Sequence, residues 1–257
     1  MPRWLIDKAG VQITVKTSSK VATDLISVTL DTMGAELRKT TRGIKLSVDQ
    51  KEGAWHLCDH SNNLQRKLKD SGDLIYHLTD RIVFHIADKA VDAHCLHAAS
   101  VASGANALVI PANSGDGKSS FTAWLVANGF AYLTDELILI DNEQQVHGIA
   151  RPIQIKSHGL KAVEHLFKDP SLVHAGKLAN AVPVDALAGT VSDKDLHKLG
   201  LFIFPSYQLD ASYKLTPLSS AEAGMRLMAN HVNARNLEGH GFRKMMAIIR
   251  DLSLIHI

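Results

Sequence analysis

The sequence predicts an α/β protein, a mixed sheet flanked by helices (residues 73–257), preceded by a small β-rich region (residues 1–72). Three observations predict it. Residues 11–48 hold short segments with strand-like alternation. Residues 73–93 repeat apolar side chains at helical spacing. Residues 107–128 run from a short apolar strand through a glycine-containing loop into a helix.

Val11-Gln12-Ile13-Thr14-Val15 and Ile44-Lys45-Leu46-Ser47-Val48 alternate with period two, and Leu25-Ile26-Ser27-Val28-Thr29-Leu30 is β-branched enough to read as a third strand. Asp70-Ser71-Gly72-Asp73 is a helix-start signal. After it Leu74, Ile75, Leu78, Ile82, Val83 and Ile86 share one helical face, giving a helix over about 73–93. Leu96–Val101 and Ala107–Pro111 read as strands, Ser119–Asn128 as a helix closed by Gly129, with Phe121, Trp124, Leu125 and Ala127 as packing positions. Strands over 131–133 and 137–140 follow, then an extended stretch to Lys156 and a helix near 158–168. Another strand covers Leu199–Phe204, and two amphipathic helices, about 219–234 and 239–251, come last. The ending Leu252–Ile257 has neither cap nor polar tail, which suggests truncation or foreign residues.

Composition sets bounds rather than a function. With 257 residues the chain suits one large domain or a domain with an appendage. Its net charge of +2 gives no electrostatic case for nucleic acid or an anionic membrane, so neither is an expected partner. Cys58 and Cys95 are too few for a disulfide framework, the N-terminus lacks the apolar core of a signal peptide, and no apolar run approaches a membrane span. The expected location is the cytoplasm.

The strongest chemical signal is Ala112-Asn113-Ser114-Gly115-Asp116-Gly117-Lys118-Ser119 between a strand and a helix. A loop that wraps backbone N–H groups around a phosphate needs glycine dihedrals, here Gly115 and Gly117, and the helix behind it aims its N-terminus at the anion. In such a P-loop Lys118 reaches the β- and γ-phosphates and the Ser119 hydroxyl binds Mg²⁺; Asn113, Ser114, Asp116 and Ser120 complete the expected phosphate contacts. The pattern departs at its first glycine, which is Ala112. The second signal is Asp135-Glu136 at a strand end, a carboxylate pair able to hold Mg²⁺ and to accept the proton of an attacking hydroxyl. The third is His97, on a strand expected beside the loop strand, where it can orient a phosphate or shuttle a proton.

Taken in order, His97-Ala98-Ala99-Ser100-Val101, the loop, and Gly129-Phe130-Ala131-Tyr132-Leu133-Thr134-Asp135-Glu136-Leu137 resemble the HPr kinase/phosphorylase superfamily, and more closely the HPr kinase-related proteins of the kinase A type. Arg151-Pro152-Ile153-Gln154-Ile155-Lys156 is similar to an Arg-Pro-x-x-x-Lys segment there, and Gly239-His240-Gly241-Phe242 matches a late glycine-containing segment. The resemblance runs from near Ile75 to near Arg250. It implies the phosphoenolpyruvate-carboxykinase type of P-loop core and the phosphorylation of a hydroxyl, on a protein or a small molecule. By it Asp135 is the base, Glu136 assists at the metal, and Arg151 and Lys156 stabilise charge on the transferred group. The expected reaction moves the γ-phosphoryl group of ATP·Mg²⁺ to such an acceptor, with Lys118 following the charge. Self-association is implied by resemblance alone. The loop with which HPr kinases grip their protein substrate is missing, which argues against HPr as acceptor, and the chain ends before the family's last strand and helix.

Two other readings stay open. A P-loop also serves a nucleotide-binding switch or a simple hydrolase. A zinc site could draw on His56, Cys58 and His60, or on His94, Cys95 and His97, but neither set is complete and no Cys-x-x-Cys pair occurs.

Overall fold

The computed structural model describes residues 1–39, 41–192, 196–250 and 252–256. The chain is mixed α/β. Its first sheet has six strands in the order β3-β1-β2-β4-β5-β6, made of β1 (Arg3–Lys8), β2 (Val11–Lys16), β3 (Glu36–Leu37), β4 (Ile44–Lys51), β5 (Ala54–Asp59) and β6 (Leu64–Leu68). β2 and β4 run parallel, Ile13 opposite Ile44, so the chain must cross over between them. The crossover is helix α1 (Lys20–Thr32), in the region where a strand over Leu25–Leu30 was expected. Ser19 caps it by accepting the Ala22 N–H, and Ala22, Ile26, Thr29 and Leu30 recur every three or four residues on its buried face. The β-branched content of that stretch gave way to its helical period.

Helix α2 (Ser71–Lys89) buries the stripe Leu74, Ile75, Leu78, Ile82 and Ile86. It shares one core with Ile13, Leu46, Val48 and Leu57 of the first sheet and with Cys95, Leu137 and Leu139 of the second. The boundary expected after residue 72 is therefore not a break in packing.

The second sheet has eight strands. They are β7 (His94–Ser103), β8 (Asn106–Pro111), β9 (Ala131–Thr134), β10 (Leu137–Ile140), β11 (Gln145–Gly148), β14 (His197–Phe204), β15 (Thr216–Pro217) and β16 (Ser253–His256); a separate pair, β12 (Ile153–Ile155) and β13 (Asn180–Val182), lies off it. The long strand β7 pairs with β8 along one edge, and along the other with β10 at its start and β9 at its end. β11 pairs with both β10 and β14, which closes part of the sheet on itself. Helix α3 (Lys118–Ala127) follows β8 and packs with β12, β13 and α4 (Ser157–Val163). Helices α5 (Ser220–Ala229) and α6 (Phe242–Arg250) cover the other face through Ala223, Leu227, Met245 and Ile249. Trp124, expected in the core, is 48% exposed and stacks on Phe121. Asp251 and Ile257, in segments read from the sequence, lie outside the described residues. Among the described residues no helix is long and apolar enough to cross a membrane.

Where β7 begins, a polar seam ties it to the segment after α5. Asn233 accepts the Cys95 N–H and donates to the carbonyls of Ala90 and Ala93. Beside it the buried rings of His94 and His231 meet, Nδ1 to Nε2, at 3.3 Å. Burial, then the neighbouring His231 and Lys244, push the His94 imidazole down to about 4 from 6.5. The folded protein thus binds fewer protons than the unfolded chain between these values. This contribution is whole above pH 6.5 and is lost as pH falls toward 4, on the order of 3 kcal/mol in full. Urea unfolding between pH 7 and 4 should show that loss, and His94→Asn should flatten it; an unchanged slope in the variant would assign the acid sensitivity elsewhere.

Candidate functional site

Pro111 ends β8 at the centre of the sheet, with Ala98 of β7 opposite it. The loop that follows turns on Gly115 (φ 105°) and Gly117 (φ 86°), both in the left-handed region that favours glycine. Ala112 is buried and is not among the residues with positive φ. Alanine therefore meets no backbone penalty where the motif has glycine. Asp116 ties the loop by accepting the Asn113 N–H at 2.9 Å, and its own N–H returns to the Asn113 carbonyl. The first helical bond of α3 runs from Phe121 N–H to Gly117 O. The N–H groups of Lys118, Ser119 and Ser120 thus have no acceptor within the helix, and they carry the positive end of its dipole. The Ser119 hydroxyl has no hydrogen-bond partner among the described residues. Lys156, ahead of α4, reaches the loop and donates to Ser114 Oγ at 2.7 Å.

Lys118 is buried. Its Nζ donates to the Asp135 carbonyl at 2.8 Å and lies 3.1 Å from His97 Nε2. Burial lowers its pKa, against the pull of Glu136 and Asp135. His97 is half-buried on β7, held by its N–H to the Asn230 carbonyl, with Ala98 N–H bonded to the Glu136 carbonyl. That register sets His97 Nε2 3.4 Å from Glu136 Oε1. Burial and then the Lys118 charge lower the His97 pKa, so the ring is neutral near pH 7. With Lys118 donating to Nε2, the imidazole proton sits on Nδ1.

The acidic pair divides. Asp135 is 1% exposed and its oxygens are occupied: Oδ1 accepts from Arg151 Nε at 2.8 Å and lies 3.2 Å from the Tyr132 hydroxyl, and Oδ2 accepts the Gln154 N–H at 2.9 Å. Asp135, expected as proton acceptor and metal ligand, thus faces inward in this arrangement, with both oxygens engaged. Glu136, by contrast, is one-third exposed; Oε2 accepts from Arg151 at 2.8 Å and Oε1 faces His97. Arg151, expected to stabilise charge on the transferred group, lies 4% exposed and bridges both carboxylates. Burial opposes its charge, but Asp135 and Glu136 outweigh that and raise its pKa. The hairpin that brings Arg151 there needs Gly148, where a Cβ would stand 2.2 Å from the Leu133 carbonyl oxygen.

Sequence reasoning missed Tyr132. A tyrosine in an otherwise apolar strand needs a buried partner for its hydroxyl, and that requirement is the signal that could have found it. Its hydroxyl lies 2.8 Å from the Arg151 carbonyl. The zinc candidates do not assemble: His60 pairs with Ser47 Oγ, and among the described residues no group of three or more His, Cys, Asp or Glu could hold a metal ion. Of the three residues expected at Mg²⁺, Glu136 is the more exposed carboxylate, whereas both oxygens of Asp135 are already engaged.

No protein-family model matches the chain, and no curated protein matches it. A solved structure of the HPr(Ser) kinase/phosphatase from Coxiella burnetii is similar at 17% identity and a TM-score of 0.29, over 48% of this chain and 69% of that one. A TM-score so low carries no structural argument, and the functional reading rests on the residues of this chain.

Proposed function

We propose that the chain binds a nucleoside triphosphate with Mg²⁺ and transfers its γ-phosphoryl group to a hydroxyl. One observation carries the reading: the Lys118 ammonium, behind a loop with two left-handed glycines, lies 3.1 Å from a neutral histidine that in turn faces a one-third-exposed carboxylate. Phosphate-binding parts and a proton acceptor thus share one site. The loop and the first turn of α3 hold the phosphates, with Lys156 at the rim. Ser119 and Glu136 would hold Mg²⁺, which neutralises charge on the phosphates. His97 takes the acceptor proton once a phosphate draws Lys118 off its Nε2. Asp135 and Arg151 position this machinery from below. ATP is the nucleotide we would offer first; a protein or a small molecule can supply the hydroxyl.

Calorimetric titration of Mg·ATP, with ADP release measured on the same samples, tests this. His97→Asn should bind Mg·ATP within a few-fold of the parent while release falls by about 10²–10⁴-fold. The parent's rate should drop on acidification, as His97 takes up a proton. A parent that binds no Mg·ATP would sink the proposal, and a His97→Asn variant with full turnover would remove the histidine from it.

A further inference from the structure

In the second sheet β8 lies between β7 and β14, and it runs parallel to β14 with Phe202 level with Val109. Both strands therefore deliver their next residues to the same end of the sheet. From β8 comes the loop 112–117, and from β14 comes the segment 205–215. His97 and Glu136 stand on the other flank of β8: His97 on β7, and Glu136 on the bend between two strands, β9 and β10, that pair with β7. The segment 205–215 closes on the loop. The Tyr207 N–H donates to the Asp116 carbonyl at 3.3 Å. A Cβ at position 117 would stand 3.2 Å from the Tyr207 Cβ and 3.9 Å from its Cγ, so the glycine that turns the loop also admits this side chain. The ring thus begins against Gly117, one residue before Lys118. Tyr207 is nonetheless 66% exposed, and among the described residues it meets no other aromatic ring. Leu209, Tyr213 and Leu215 of the same segment are also half exposed or more. Single apolar residues scattered over a surface need no explanation, but four in one short segment anchored on a loop of this kind do.

We infer that Tyr207 is the platform on which the base of the bound nucleotide stacks. The inference rests on the phosphotransfer reading above, which puts the γ-phosphoryl group at Lys118 and His97. The α-phosphate, ribose and base then leave the loop on the side away from β7. On that side, after β14, the chain offers an aromatic face. A base and a tyrosine ring attract through their π-faces whatever groups the base carries on its edge. The bond from the Tyr207 N–H to Asp116 fixes the platform to the loop. The base is therefore held at a set reach from the phosphates, and the γ-phosphorus is held toward His97.

Inorganic tripolyphosphate carries the phosphate chain without ribose or base, and it separates the two halves of the site. Its Mg²⁺ complex and Mg·ATP are titrated calorimetrically into the parent, Tyr207→Ala and Tyr207→Phe. The parent should bind Mg·ATP the more tightly. Tyr207→Ala should weaken Mg·ATP at least about fivefold, the low end for one base stacked on an aromatic ring. It should leave Mg·tripolyphosphate unchanged, which also shows that the variant folds and keeps its loop. Tyr207→Phe should bind Mg·ATP as the parent does, because the ring and not the hydroxyl makes the contact. Three results overturn the inference while the phosphotransfer reading stands. Tyr207→Ala binds Mg·ATP like the parent; or it loses both ligands equally, which makes Tyr207 a support of the loop; or Tyr207→Phe is as weak as Tyr207→Ala, which moves the contact to the hydroxyl. A parent that binds neither ligand overturns the phosphotransfer reading itself and the platform with it.

Discussion

Lys118→Met is expected to weaken Mg·ATP binding by about 100-fold or more and to lower ADP release by at least about 10³-fold, without loss of folded stability. The activity side follows from charge. Lys118 is the only lysine buried behind the loop among the described residues, and its ammonium sits against His97 Nε2 and the Asp135 carbonyl. The stability side follows from what that ammonium costs when the site holds no phosphate. It is buried, its pKa is lowered by that burial, and it has one carbonyl and one imidazole as hydrogen-bond partners. Methionine keeps the length of the side chain and removes the buried charge, so the unfolding midpoint should stay level or rise. A group held for function at the expense of stability behaves in this way. Calorimetric titration and thermal unfolding on one preparation decide the matter. A variant that binds Mg·ATP like the parent would show that the loop does not use its lysine, and a variant that melts well below the parent would make Lys118 a structural residue.

The loop was legible in the sequence because its determinants are local. A strand, two glycines, Lys118-Ser119 and a helix lie within about two dozen consecutive positions, and each requirement is met by the residue itself. The N-terminal strands at 11–15 and 44–48 were legible for a similar reason, since alternation is a property of neighbours. Helix α1 was misread because Leu25–Leu30 is short, apolar and β-branched, and such a run fits strand or helix equally until the buried face, reaching back to Ala22, is counted. The acidic pair shows a different limit. Sequence marks Asp135 and Glu136 as a pair, but they form the bend between β9 and β10, and which one faces the site depends on partners far along the chain. Those partners are Arg151 and the Gln154 N–H, brought back by a hairpin that requires a glycine at position 148. Trp124 failed for the same reason, because the helical face that packs is set by β12 and β13, which arrive later.

The division of the pair can be tested where stability and catalysis give opposite answers. Arg151→Met should destabilise the fold by about 3–5 kcal/mol, because it strands the Asp135 carboxylate in an environment from which water is excluded. The remaining donors, the Gln154 N–H and the Tyr132 hydroxyl, are neutral and cannot replace the guanidinium. Arg151→Lys should recover little of this, since one ammonium cannot bridge the two carboxylates that Nε and Nη2 now span. Adding Asp135→Asn to Arg151→Met removes the stranded charge and should return part of the loss. The double variant should therefore be more stable than Arg151→Met, which independent effects would not produce. Asp135→Asn alone leaves Arg151 paired with Glu136 and should cost less than Arg151→Met. If Asp135 were instead the base, Asp135→Asn would keep near-parental stability and abolish ADP release, and its combination with Arg151→Met would simply add. Denaturant unfolding of the three variants beside their Mg·ATP turnover separates the two roles, because a buried positioning carboxylate moves the unfolding midpoint and an exposed base does not.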